Sequence, residues 1–231
     1  MTETPFSTVL AALGATERPF PAKYIERFSD LSSPDLRALM QAWPRLPQAR
    51  KHLLLKKLVE AYDDETIYSF DALAASLLDD LDGQVRIYAL RLLAETAEVR
   101  LLPRLLQMLQ TDPEPACRAE TAALLGQFVQ AGELEEIPAA ALDQVVAGLL
   151  TAAHDSDSHL ARAVLQSLGY SSRPEVETLI ENAFQHHDPH WQAAALVAAG
   201  RSADAARWQE AVLEAFVSED QPVRLAAVEA A

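Results

Sequence analysis

One short pattern recurs five times along this chain. A loop containing Asp leads to an apolar residue, then to an anchor position, then to small residues closing on Leu-Gly or a near relative. The loops are Asp82-Gly83-Gln84-Val85-Arg86, Asp112-Pro113-Glu114-Pro115-Ala116-Cys117-Arg118, Asp155-Ser156-Asp157-Ser158-His159-Leu160-Ala161, Asp188-Pro189-His190-Trp191-Gln192 and Asp220-Gln221-Pro222-Val223-Arg224. The anchors Arg86, Arg118, Ala161, Gln192 and Arg224 are 32, 43, 31 and 32 residues apart. A period near thirty indicates a helical solenoid, because each unit can bury its apolar face only against its neighbours.

Composition agrees with a helical array. Apolar residues make up 50% of the 231, enough for a core, while aromatics are only 6% and Gly numbers 7. Small side chains let helices approach closely, and the scarcity of β-branched runs disfavours sheets. The net charge of -15 is uneven. Residues 1–62 hold nine Lys or Arg against six acids, whereas residues 63–231 hold ten Arg, no Lys and twenty-eight acids. So acidic a body repels phosphate backbones, which argues against nucleic acid as a partner and suits either plain solubility or a basic protein partner. The single Cys117 occupies the inward apolar position that Val85, Leu160, Trp191 and Val223 occupy elsewhere, and reads as a core thiol. Trp191 reads as core by the same register. The N-terminus has neither the basic nor the apolar region of a signal peptide, and no run is long enough to span a membrane. The expected location is the cytoplasm.

Three regions are expected. Residues 1–32 form an N-terminal arm with short helices, broken by Pro5, Pro19 and Pro21. Residues 33–81 form degenerate helical hairpins. Ser33 caps a helix with Pro34 and Asp35 in its first turn, and Pro44 stops it. Pro47 starts the next helix, with Leu53, Leu54, Leu58 and Tyr62 inward and Arg50, Lys51, Lys56 and Lys57 outward. Residues 82–231 are the regular repeats, starting near 82, 112, 155, 188 and 220. Their first helices are expected to end at Leu125-Gly126, Leu168-Gly169 and Ala199-Gly200, with Gly in the left-handed cap conformation. The longer step, containing residues 130–138, lengthens the turn between the two helices of its repeat. The last repeat is cut short on an apolar helix, so the chain is expected to continue beyond Ala231 or to be covered by another subunit.

The anchor, the following small residues and Leu-Gly resemble HEAT repeats of the short type first described in phycobilisome lyases. Arg118, Ala122, Leu125 and Gly126 match best, followed by Arg86, Ala89, Leu90 and Leu93. The resemblance implies an all-α fold, an α-α superhelix built as a right-handed solenoid of HEAT-like hairpins. Ala161 and Gln192 depart from it, and weaker capping or inter-repeat bonding is expected there. In such arrays second helices usually line the concave face, here presenting Arg100, Arg104, Glu175, Glu181, Trp208, Glu210 and Glu214. The family is mostly scaffolds, though relatives include bilin lyases, an iron-dependent hydroxylase and DNA base-removal enzymes. The hydroxylase branch uses His-Glu dipeptides, which this sequence lacks.

Chemistry has one candidate site. His154, His159, His186 and His190 fall in equivalent loops of consecutive repeats, beside Asp155, Asp157 and Asp188. Imidazole nitrogen and carboxylate oxygen suit zinc or nickel. The competing reading makes these carboxylates helix caps and the histidines solvated. No phosphate loop, zinc Cys pattern or nucleophile elbow is present, and no cofactor is expected. The expected function is a non-catalytic protein-interaction scaffold whose mixed-to-acidic groove takes a basic partner segment. Two alternatives stay open: an enzyme or accessory of the chromophore-lyase kind, and a structural part of a longer repeat protein.

Overall fold

A computed structural model of the protein describes residues 4–64 and 67–231. Among these residues the elements are helices joined by turns, with no strand. They form two compact units, Met1–Ala94 and Glu95–Ala231.

The first unit opens with α1 (Phe6–Gly14) and a 3-10 helix over Ala22–Phe28. Their core is aromatic: Phe28 meets Phe6 edge-on at 5.7 Å and Phe20 at 6.1 Å between ring centroids. α2 (Ser33–Ala42) starts where Ser and Pro predict, but its cap is Ser32, whose hydroxyl accepts from the Asp35 N–H and donates to the Asp35 carboxylate. Pro34 then falls in the first turn, where an N–H would have no helical partner. A 3-10 turn, Trp43–Arg45, ends this helix.

α3 (Gln48–Asp64) and α4 (Asp71–Leu77) both pack on α5 (Gly83–Arg91), which carries the first anchor, Arg86. The buried stripe of α3 is Leu54, Leu55 and Leu58, and Leu53 is exposed. Arg50, expected outward, is buried: its Nη2 donates to the carbonyls of Ala15 at 2.9 Å and Arg18 at 2.7 Å. Those carbonyls follow the end of α1, where the helix no longer supplies donors. Lys51 lies 5.2 Å over the Trp43 ring and 3.6 Å from Asp80, which also accepts from Trp43 Nε1 at 2.7 Å. Part of the face read as cationic surface is therefore internal wiring.

The second unit begins with a 3-10 turn, Val99–Leu101, and continues through α6 (Leu102–Thr111), α7 (Pro115–Glu133), α8 (Ala139–Ala152), α9 (Ser158–Leu168), α10 (Pro174–Phe184), α11 (Pro189–Arg201), α12 (Ala205–Ala215) and α13 (Gln221–Ala230). First helices stack in order, α7 on α9, α9 on α11 and α11 on α13. Second helices pack beside their own first helices, as α8 does on α7 and α12 on α11. This is the consecutive packing of an α-solenoid.

The glycines act differently from the caps expected of them. α7 runs straight through Gly126, and α11 contains Gly200. Gly169 ends α9 at φ -52°, an ordinary right-handed value, and no described glycine has positive φ. Their role is close approach. A Cβ on Gly169 would lie 2.6 Å from Ala198 Cα, and one on Gly200 would lie 2.6 Å from Ala230 Cα. Only a residue without a side chain lets the next first helix come so near.

The long step is likewise not a long turn. The extra residues extend α7 to Glu133, after which Glu135 turns the chain at φ 61°. Its N–H reaches Gly132 O at 3.0 Å and the Glu136 N–H reaches Ala131 O at 2.8 Å. These are the paired bonds of a Schellman motif, with Glu where Gly is usual.

The anchor position has one repeated function, which is to hold the loop or helix end before it. Arg86 donates to Asp80 O at 2.8 Å, Arg118 to Leu109 O at 2.9 Å, and Arg224 to Ser218 O at 2.6 Å and Glu219 O at 2.8 Å. Gln192 substitutes directly, its amide donating to His186 O at 2.8 Å. The weakening expected at Gln192 is therefore offset by a shorter side chain making the same kind of bond. At Ala161 no side-chain donor exists, and Arg118 instead reaches forward to Asp155 in that loop at 2.5 Å. Asp82, Asp157 and Asp188 cap their helices as expected. Asp220 makes no side-chain cap bond.

Candidate functional site

Beside the row of first helices, α10 and α12 leave a groove of about 580 Å³. Its walls are built by helical spacing. α10 contributes Glu181 and Phe184, and α12 contributes Arg207, Trp208, Glu210 and Glu214. Positions 207, 210 and 214 recur every three or four residues, so they share one face of α12. Gln192 and Leu196 of α11 and Val223 of α13 also line it.

The floor is aromatic. Trp208 is 6% exposed and its ring lies 5.8 Å from that of Phe184. The indole N–H of Trp208 is buried and has no hydrogen-bond acceptor among the described residues. The rim is acidic. Arg207 bridges to α10, donating to Glu181 at 2.6 Å and pairing with Glu177. The Glu181 hydrogen bond, aided by the Glu177 charge, raises the affinity of this guanidinium for its proton. Its Cζ also sits 5.0 Å from the Trp208 ring centroid. Glu210 and Glu214 line the same groove without an ion-pair partner among the described residues.

Four of the seven residues expected on a binding face thus meet here: Glu181, Trp208, Glu210 and Glu214. Arg100, Arg104 and Glu175 do not join them. Arg100 pairs with Glu98 at 2.7 Å, Arg104 reaches Gln107 at 3.3 Å, and Glu175 stands exposed in the first turn of α10. Arg207 and Phe184 were legible only in part. The spacing of Arg207 from Glu210 and Glu214 marks a common face, but its partners Glu177 and Glu181 lie on another helix.

The histidine loops do not converge on a metal. Among the described residues no group of three or more His, Cys, Asp or Glu side chains is placed to hold one, so His154, His159, His186 and His190 form no such cluster. Local bonds account for this. His186 Nδ1 accepts from the Asp188 N–H at 3.0 Å and its ring lies 5.5 Å from Trp191. Asp157 and Asp188 are engaged as caps, and Asp155 accepts from Arg118. Trp191 is only half-buried, with Arg162 over its ring at 6.0 Å, unlike Val85, Cys117, Leu160 and Val223, which are buried. The indole is too large for the slot those smaller residues fill. No helix among the described residues is long and apolar enough to cross a membrane.

The model of the family described as HEAT repeats matches residues 146–231, and that of the HEAT repeat matches residues 101–132. The chain is a HEAT-repeat protein. The matched spans cover α7 and the hairpins that build the groove. No curated protein matches the chain. HEAT repeats commonly serve as protein-interaction scaffolds, which makes protein partners the natural class for this one.

Proposed function

We propose that this HEAT-repeat protein, of the short phycobilisome-lyase-like type, is a non-catalytic interaction scaffold whose α10–α12 groove takes a basic segment of a partner protein. The groove itself carries the reading: an aromatic floor under Glu181, Glu210 and Glu214, with Arg207 the cation among its described lining residues. Apolar contact supplies affinity, while the carboxylates, Glu210 and Glu214 unpaired and Glu181 shared with Arg207, select and steer a cationic guest. The test compares wild-type protein with Glu181→Lys/Glu210→Lys as bait for partners eluted by rising salt. A partner that binds the wild type, is released by salt and is lost with the double variant supports the reading. Equal capture by both baits overturns it.

A second reading, membership in a larger repeat assembly, draws on α13. Val228 is 66% exposed, whereas its equivalents Leu90, Ala122, Leu165 and Leu196 are buried. Leu225 beside it is 62% exposed. This apolar strip is what a further hairpin of the same kind would cover. Val228→Glu/Leu225→Glu should leave a self-sufficient unit as soluble as the wild type or more so, but should prevent incorporation into an assembly seen by sedimentation.

A further inference from the structure

The α10–α12 groove already holds one guanidinium of its own. Arg207 donates to Glu181 at 2.6 Å, pairs with Glu177 and lies over Trp208 with Cζ 5.0 Å from the ring centroid. A flat cation resting on a flat ring, with carboxylates at its edge, is an arrangement suited to arginine. An ammonium can pair with the same carboxylates, but it is compact and strongly hydrated and gains less from an aromatic face. One and two turns along α12, Glu210 and Glu214 repeat the carboxylate half of this arrangement without a cation. The aromatic half continues through Phe184 against Trp208.

Resting on the reading of this groove as a site for a basic segment, we propose that it selects arginine over lysine, with Glu210 and Glu214 pairing the guest guanidinium and the half-buried Phe184 ring receiving its flat face. The two carboxylates are one helical turn apart. A guest with two arginines four residues apart on a helix matches that spacing.

The probes are two blocked, alanine-based helical peptides of equal length and charge, one with arginines four residues apart and one with lysines there. Each is titrated calorimetrically into the full chain at low and physiological salt. The arginine peptide should bind about threefold to tenfold tighter. Glu210→Gln/Glu214→Gln, which alters only exposed side chains, should weaken it about tenfold and keep the wild-type circular dichroism. Phe184→Tyr should retain the preference, and Phe184→Leu should remove it while leaving binding at the lysine level. If Phe184→Leu fails to fold, the glutamine pair still decides. Equal binding of both peptides, still sensitive to the glutamine pair, overturns arginine selection and leaves the groove reading standing. An arginine preference that survives the glutamine pair places the site elsewhere and overturns the proposal. Binding of neither peptide overturns both.

Discussion

Arg118 on α7 and Asp155 in the loop before α9 are joined by a hydrogen-bonded ion pair at 2.5 Å, across 37 residues of sequence. The side chains are each only 20% exposed, so the pair is partly shielded from solvent. Arg118 also donates to Leu109 O, and the Asp155 carboxylate also accepts from the Asp157 N–H at 2.9 Å. One guanidinium thus fastens the end of α6 to the loop opening the next repeat. Arg118→Ala should therefore destabilise the protein by about 2 kcal/mol, since it leaves a carbonyl and a carboxylate short of a donor. Chemical denaturation at pH 7 measures this directly.

The same pair sets a pH dependence. The Asp157 N–H, and then Arg118, hold the Asp155 carboxyl below its ordinary value. A carboxyl lowered in the folded state adds stability above its unfolded pKa, and that stability is lost as pH falls through the folded value. Asp155→Asn should cost stability at pH 7 and flatten the decline that wild type shows below the ordinary carboxylate range. Urea midpoints from pH 7 down to pH 2 would test this. Parallel curves for the two proteins would exclude the assignment.

Glycines of one type should respond in opposite directions. Gly169→Ala and Gly200→Ala place a methyl 2.6 Å from backbone of the next first helix, and each should cost about 1–3 kcal/mol through overpacking. Gly14, at the end of α1, has nothing within 4 Å of where a methyl would stand, and Gly14→Ala should be neutral or stabilising by up to about 1 kcal/mol. Melting temperatures of the three variants separate close approach from a mere composition effect.

Glu135 sits in the left-handed region at φ 61° with both Schellman bonds made. Glu135→Gly removes a side-chain clash but adds freedom to the unfolded chain, and should give a net gain of about 0.5–1 kcal/mol. A loss of stability on thermal unfolding would show that the Glu135 side chain makes a contribution its backbone does not reveal.

Arg207 competes from within the groove for the carboxylates a guest would use. Arg207→Ala should tighten binding of a basic peptide by about threefold at low salt, with the gain shrinking as salt screens the exposed glutamates. Unchanged affinity at every salt concentration would place the guest away from Glu177 and Glu181.

The repeats were legible because their signals are local. An Asp, an apolar residue a few positions on and, except at Ala161, a donor directly after it mark the helix starts, and the structure places Asp82, Asp157 and Asp188 as caps. Glu181, Trp208, Glu210 and Glu214 could be assigned to second helices by the same register. Gly126, Gly169 and Gly200 could not be interpreted that way. A glycine ending a helix and a glycine admitting a neighbour look alike in sequence, and only the helix packed against it, some thirty residues on, tells them apart. Arg50 is a parallel case: its spacing places it outward on α3, but two carbonyls left over after α1 draw it inside.

By itself the sequence determined that this protein is a stack of helical hairpins, where each first helix begins, and which acids stand on the later second helices. Those properties follow from short-range capping and from an apolar period that can be satisfied only by neighbours. The tertiary structure decided that α10 and α12 form a groove, that Arg207 bridges it over Trp208, and that the histidine loops do not converge on a metal. Each of these depends on side chains from different helices meeting within a few ångströms, a distance set by how closely the small residues of the first helices let the repeats pack.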